Sequence, residues 1–172
     1  MSTTTATGHK QLRHGRPYLV MTREFRAPVG DVWAAVTDSD RLARWIATWS
    51  GDPRDGKVLF QMRYEGDEVP SEEFVIDECK PPHRLAITTK APHETEPVTW
   101  HLELDLTEAD GVTTLTFAQS VPDPATAESV GPGWDYYLDR MVVAEGGGDV
   151  SAVVFDAYYP ALVDHYRGEF GS

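Results

Sequence analysis

Two charged residues, Arg23 and Glu78, occupy strand positions where alternation places apolar side chains facing a core. A charge on such a face needs a partner, so we expect Arg23 and Glu78 to contact each other or the polar end of a bound molecule. An ion pair that serves only the fold is the alternative. A carboxyl group among apolar side chains has a raised pKa, and Glu78 could then be a general acid or base, with Tyr64 or Tyr137 donating a proton.

The sequence contains no other catalytic motif. It has no P-loop, dinucleotide-binding glycine motif, nucleophile elbow or Ser-His-Asp order. The six histidines are scattered, so we expect no metal ion, and we expect no cofactor. We expect His101 on the outer face of its strand and both His83 and His93 in loops. Cys79 is the only cysteine and is expected to be a structural strand residue.

Length and charge narrow the class of protein. The chain has 172 residues and a formal net charge of −13, which predicts one globular domain, here residues 18–172. Such an acidic chain is not expected to bind nucleic acid or an anionic membrane surface. It has no apolar run of membrane-spanning length and no signal-peptide core, so we expect a cytoplasmic protein without membrane insertion. Residues 1–17 are Thr-rich, basic and free of acid, which predicts a disordered tail.

The elements that would position Arg23 and Glu78 are antiparallel strands. Residues 18–26 alternate as a first strand, and two short helices follow at 28–38 and 40–46. A turn-rich connection covers 49–57, and Gly66-Asp67 predicts a hairpin turn. Five further strands are predicted at 58–65, 72–80, 84–90, 98–107 and 112–119.

A long helix is predicted near the carboxyl end, at 131–146. Pro132 suits its first position, and Trp134, Leu138 and Met141 form one apolar face. A last short helix is predicted at 155–166. The fold class is therefore α+β, a helix-grip fold in which a curved antiparallel sheet of about six strands wraps around the long helix, with two short helices after strand 1.

Three short motifs resemble one known family, the activator of heat-shock protein 90 ATPase homologue-like family of the START-like (helix-grip, SRPBCC) superfamily. They are Ala27-Pro28-x-x-x-Val32-Trp33-x-Ala35-x-Thr37-Asp38-x-x-x-Leu42-x-x-Trp45, then Glu78 before Pro81-Pro82-x-Arg84-Leu85, and Gly133-Trp134-x-x-x-Leu138-Asp139. The resemblance covers roughly residues 19–166 and implies the same order of elements. It also implies a deep, mostly apolar cavity between the sheet and the C-terminal helix.

The resemblance does not imply one activity. Members of the superfamily carry lipids, bind hormones, cyclise polyketides or assist chaperones. In the eukaryotic activators a separate module precedes this domain and engages the chaperone. Only a short tail precedes it here, so we do not expect a chaperone partner.

The sequence therefore favours a domain that binds a small apolar or amphipathic molecule, as a monomer or homodimer. A cyclase- or dehydratase-type enzyme that acts on a cyclic ketone with Glu78 as acid or base is the first alternative, and a co-chaperone-like interaction module is the second. A plain packed core is the structural alternative for the aromatic residues. The candidate ligand-binding residues are Arg23, Trp45, Phe60, Met62, Tyr64, Phe74, Glu78, Trp100, Phe117, Trp134, Tyr137 and Met141.

Overall fold

A computed structural model describes residues 4–64, 71–90 and 99–171. Within them one antiparallel sheet has the strand order β1-β2-β8-β7-β6-β5-β4-β3. Its eight strands are β1 (His9–Arg13), β2 (Arg16–Phe25), β3 (Ala47–Ser50), β4 (Lys57–Met62), β5 (Glu72–Lys80), β6 (Arg84–Lys90), β7 (Thr99–Ala109) and β8 (Val112–Ser120).

In the described ranges four α-helices accompany the sheet: α1 (Val29–Thr37), α2 (Ser39–Leu42), α3 (Ala127–Glu145) and α4 (Val163–Phe170). The first two connect β2 to β3. Asp38 ends α1 and caps α2, because its carboxylate accepts from the backbone N–H groups of Asp40 and Arg41. Among the described residues, no helix has the length and apolar composition that crossing a membrane requires.

The core lies between one face of the sheet and α3. Leu19 and Met21 of β2 are fully buried, and so is Met141 of α3. Leu115 and Phe117 of β8 join the same cluster. This inward face is the one that strand alternation predicts, and burial of the apolar stripe of α3 supplies the main driving force for the packing.

The predicted α+β architecture is confirmed, but the strand number differs from about six. The strands predicted at 72–80 and 84–90 are found at those bounds. The connection predicted at 49–57 overlaps an additional strand, β3, in which Trp49 pairs with Phe60 of β4. Its four residues are too short for an alternating pattern to be recognised.

The other additional strand corrects the prediction of a disordered tail over residues 1–17, of which residues 1–3 lie outside the description. Residues 9–13 form β1 and pair with β2. His14 and Gly15 both have positive φ, 55° and 76°. Two such residues make the tight turn that matches the twist of a hairpin, so local turn chemistry orders this segment despite its polar composition.

Both predicted C-terminal helices differ from those observed. Pro132 is not the first residue of α3 but lies inside it, since the helix begins at Ala127. The segment predicted as one helix at 155–166 contains a short 3-10 turn at Phe155–Ala157, and α4 begins only at Val163. Pro160 lacks the N–H group that a continuous helix would need at that point.

Several expectations fall outside the described residues. These are the hairpin turn at Gly66-Asp67, the first residue of the strand predicted at 98–107, and the loop that contains His93.

Candidate functional site

A cavity of about 220 Å³ lies between the sheet, the α1–α2 segment and α3. Its inner end consists of buried residues such as Leu115 and Leu138, whereas Pro53 and Cys79 are exposed and mark its mouth. The lining residues are Val36, Thr37, Leu42, Trp45, Ile46, Trp49, Pro53, Val58, Phe60, Phe74, Ile76, Cys79, Leu85, Ile87, Leu102, Leu104, Leu115, Phe117, Trp134 and Leu138.

Aromatic pairs form two sides of the cavity. On the β4–β5 side Phe60 and Phe74 stack, with ring centroids 4.3 Å apart and planes 9° from parallel. On the other side Phe117 of β8 lies against Trp134 of α3, with centroids 4.2 Å apart. The strands β7 and β6 lie between β8 and β5 in the sheet, so the two aromatic pairs occupy separate parts of the lining. Aliphatic residues of β6 and β7 lie between them.

The nitrogen-bearing side chains of the lining are the indoles of three tryptophans, and all three N–H groups are already used. Trp45 Nε1 donates to the carbonyl of Ala35 at 3.1 Å, and Trp49 Nε1 donates to the carbonyl of Thr37 at 2.7 Å. Trp134 Nε1 donates to Gln119 Oε1 at 2.6 Å. These bonds fix the ring orientations and leave the cavity with almost no free hydrogen-bond donor.

The hydroxyl of Thr37 is committed in the same way, because it donates to the carbonyl of Trp33 at 2.7 Å. The thiol of Cys79 is then the remaining polar hydrogen of the lining. The cavity therefore offers dispersion and aromatic contacts, with a thiol at its mouth.

A bulge in β5 decides which residue faces the cavity there. Ile76 pairs with Ile87, but Glu78 pairs with Ala86, so Asp77 is an extra residue in the strand. After the bulge the alternation is inverted: Cys79 turns inward and Glu78 turns outward. The prediction that Glu78 lies on the apolar face is wrong for this reason, and so is the expectation that it meets Arg23.

Glu78 belongs instead to an ionic cluster on the outer face, centred on Arg84. Arg84 Nε donates to Glu78 Oε1, and its other nitrogens contact Glu103 at 2.6 Å and Asp105 at 2.9 Å. Lys80 Nζ lies 3.5 Å from Glu78. The hydrogen bond from Arg84 is the main reason that the pKa of Glu78 lies below its usual value, opposite to the shift expected in an apolar site.

Arg23 faces the interior, and its partners are two aspartates of α3. Its Nη2 atom lies 3.1 Å from Asp135 Oδ1, and its Nε atom lies 3.1 Å from Asp139 Oδ1. Asp135 is fully buried and also accepts a hydrogen bond from the hydroxyl of Tyr166 and one from Thr7 Oγ1 at 2.5 Å. The cluster thus joins β2, α3, α4 and the segment before β1, which makes it a structural ion pair.

The tyrosines of this cluster remain neutral. Burial is the largest cause that raises the pKa of Tyr166 above its usual range, and the charge of Asp135 adds to it. Tyr158 donates to Asp139 Oδ2 at 2.6 Å, and burial raises its pKa as well. Their hydroxyl groups therefore act as hydrogen-bond donors to carboxylates and not as acids.

The predicted ligand-binding residues divide into two groups. Trp45, Phe60, Phe74, Phe117 and Trp134 line the cavity. The remaining seven do not: Arg23, Met62, Tyr64, Glu78, Trp100, Tyr137 and Met141.

Packing explains three of the exceptions. Met141 and Tyr137 are buried in the core beside the cavity. Tyr64 lies near the end of β4, where its hydroxyl donates to the carbonyl of Ala43 at 2.6 Å and its ring lies 4.0 Å from the guanidinium carbon of Arg140.

The candidate ligand-binding residues omit four side chains that the structure shows to be important. Trp49 lines the cavity, although the sequence predicts only a turn-rich connection over 49–57. The signal for Cys79 is that one extra residue in the strand after Ile76 turns Glu78 outward and places Cys79 on the apolar face. Asp135 and Asp139, spaced four apart beside the apolar stripe of the helix, were the available signal for the partners of Arg23.

Comparison with known proteins agrees with the fold. The crystal structure of CalU16 from Micromonospora echinospora has 25% sequence identity and a TM-score of 0.68, covering 94% of this chain and 99% of that one. EF2215 of Enterococcus faecalis, a conserved protein of unknown function, has 18% identity and a TM-score of 0.67, covering 94% of this chain and 88% of its own.

A protein encoded by gene BPP1335 of Bordetella parapertussis has 20% identity and a TM-score of 0.63, covering 92% of this chain and 95% of that one. No curated protein sequence matches. The family model described as Activator of Hsp90 ATPase homolog 1-like protein matches residues 26–144, which is more than half of the chain. This chain therefore belongs to the Activator of Hsp90 ATPase homolog 1-like family, within the SRPBCC (START-like) superfamily.

Proposed function

We propose that this protein binds a small apolar molecule in the cavity between its sheet and α3. The observation that carries the proposal is the cavity itself, with a volume of about 220 Å³ and an almost wholly apolar lining. A concave apolar pocket with an open mouth is the usual form of a small-molecule site.

The apolar lining gives the proposal further support. Water inside the cavity finds almost no free hydrogen-bond partner among the described lining side chains, so its replacement by an apolar molecule that contacts the lining is favourable.

An enzyme that uses Glu78 as its acid or base is a weaker alternative. Glu78 faces outward and its carboxylate accepts a hydrogen bond from Arg84, so it does not line the cavity. Among the described lining residues there is no aspartate, glutamate, histidine or lysine. Acid–base catalysis needs a titrating group within hydrogen-bond reach of the reacting atom.

Native mass spectrometry of the full chain, followed by organic extraction, tests the proposal. The wild type is compared with Leu104→Phe, which fills the cavity from β7, and with Leu59→Phe. Leu59 is half-exposed on β4 and does not line the cavity, so the second variant makes the same chemical change elsewhere.

We expect a stoichiometric small molecule on the wild type and on Leu59→Phe, and none on Leu104→Phe. If the wild type is purified free of ligand, protection of Cys79 from a thiol reagent by naphthalene is measured instead. Equal ligand loads on the two variants, or a thiol that naphthalene leaves equally reactive, would contradict the proposal.

A further inference from the structure

We infer that the ligand is a compact, uncharged aromatic compound of one or two fused rings, bound with any polar substituent at the mouth beside Cys79. This inference rests on the proposed function and names the chemical class that the site accepts. It excludes long-chain amphipathic lipids and ligands whose charged group enters the cavity.

Size is the first argument. An apolar cavity of about 150 Å³ accommodates benzene. The cavity here, at about 220 Å³, is larger than that but below the range of roughly 300–1,000 Å³ typical of sites for drug-sized ligands. One or two fused rings fill such a space, whereas most of a long acyl chain would remain outside.

The hydrogen bonds of the lining provide the second argument. Trp45, Trp49 and Trp134 each donate their indole N–H to a protein acceptor, and none is free for a ligand. No residue of the described lining carries a formal charge at neutral pH. A carboxylate or ammonium group inside would lose its hydration without a partner, which is strongly unfavourable.

The shape of the lining supplies the third argument. The Phe60–Phe74 pair and the Phe117–Trp134 pair both line the cavity, and β6 and β7 separate the strands of the first pair from the strand of Phe117, so a bound ring can contact aromatic side chains at two places in the lining. The exposed lining residues Pro53 and Cys79 fix the position of the mouth, where water can solvate a substituent.

The test compares four probes with the full chain: naphthalene, decalin, dodecanoate and naphthalene-2,6-dicarboxylate, whose carboxylates lie at both ends so that one of them would have to enter the cavity. Binding is measured by protection of Cys79, the only cysteine, from a thiol reagent, and by quenching of tryptophan fluorescence. Leu104→Phe reports whether each probe occupies the cavity, with Leu59→Phe as the matched control.

We expect naphthalene to bind at least 100-fold more tightly than naphthalene-2,6-dicarboxylate. We also expect it to bind several-fold more tightly than dodecanoate and than decalin, which has the same carbon frame without aromatic rings. Comparable binding of the dicarboxylate or of dodecanoate, abolished by Leu104→Phe, would overturn the inference while leaving a ligand-binding cavity intact. Binding of decalin equal to that of naphthalene would overturn its aromatic part. Failure of all four probes to respond to Leu104→Phe would instead overturn the proposed function.

Discussion

Replacement of Asp135 by asparagine tests the role assigned to the buried ionic cluster. Asp135 is fully buried and accepts hydrogen bonds from Arg23, Thr7 and Tyr166. The amide keeps one acceptor oxygen but places an NH₂ group where the second carboxylate oxygen now accepts. It also leaves Arg23, which is only 9% exposed, without its buried counter-charge.

The expected cost follows from that burial. Removing one partner of a buried ion pair destabilises a protein by about 3–5 kcal/mol. With a urea m-value of about 2 kcal/mol/M, the unfolding midpoint falls by about 1.5–2.5 M. For a chain of this length the melting temperature falls by roughly 6–20 °C, since 1 kcal/mol corresponds to about 2–4 °C.

Asp139→Asn is the matched control, because it lies one helical turn further along α3 and contacts the same arginine at the same distance of 3.1 Å. Its side chain is 38% exposed, so the loss is expected to be only about 0–1 kcal/mol. Urea titrations of the wild type and both variants decide the matter. A cost below 1 kcal/mol for Asp135→Asn, or equal costs for the two variants, would refute the argument from burial.

Three further predictions follow from the packing and charges. Gly131→Ala is expected to cost about 1–3 kcal/mol of stability because the added methyl group would overlap the ring of Tyr166. Gly133→Ala is expected to be neutral or stabilising, because no heavy atom outside the local helix lies within 4 Å of the added methyl group. Thermal unfolding that ranks the two variants the other way would contradict the packing. Because the pKa of Tyr166 is raised in the folded state, the stability that its neutral hydroxyl contributes is complete below the usual tyrosine pKa near 10 and is lost as the pH rises above that value. Tyr166→Phe is therefore expected to flatten the decline in the free energy of unfolding measured from pH 9 to 11. An unchanged slope would argue against a buried neutral hydroxyl. Glu78→Gln is expected to leave binding of naphthalene unchanged because the side chain faces away from the cavity, and a tenfold loss of affinity would show that the bulge has been misinterpreted.

Alternation and turn residues predicted most of the sheet. The apolar residues of β7 and β8 recur at every second position. Turns that contain glycine or proline mark the ends of strands in this part of the sequence, so the bounds of β7 and β8 are predicted within about two residues. The helix face of Trp134, Leu138 and Met141 was also predicted, because a period of 3.6 residues is a strong signal in a long helix.

The partners of Arg23 and the orientation of Glu78 could not be predicted from the same signals. Alternation is a local rule, and a single extra residue such as Asp77 inverts it for the rest of the strand. The identity of a buried counter-charge depends on how α3 lies across the sheet, which is set by tertiary packing. The sequence therefore predicts that Arg23 needs a partner and allows for a structural ion pair, but it does not identify Asp135 and Asp139 as the partners.

The bulge in β5 has a consequence for protein engineering. Deleting Asp77 would remove the extra residue and leave Glu78 paired with Ala86 on the outer face and Cys79 paired with Leu85 on the cavity face. A one-codon deletion at this position would thus shorten β5 without changing which side chains face the cavity. The bulge is therefore a permissive position, at which the length of the strand can be altered separately from the binding surface.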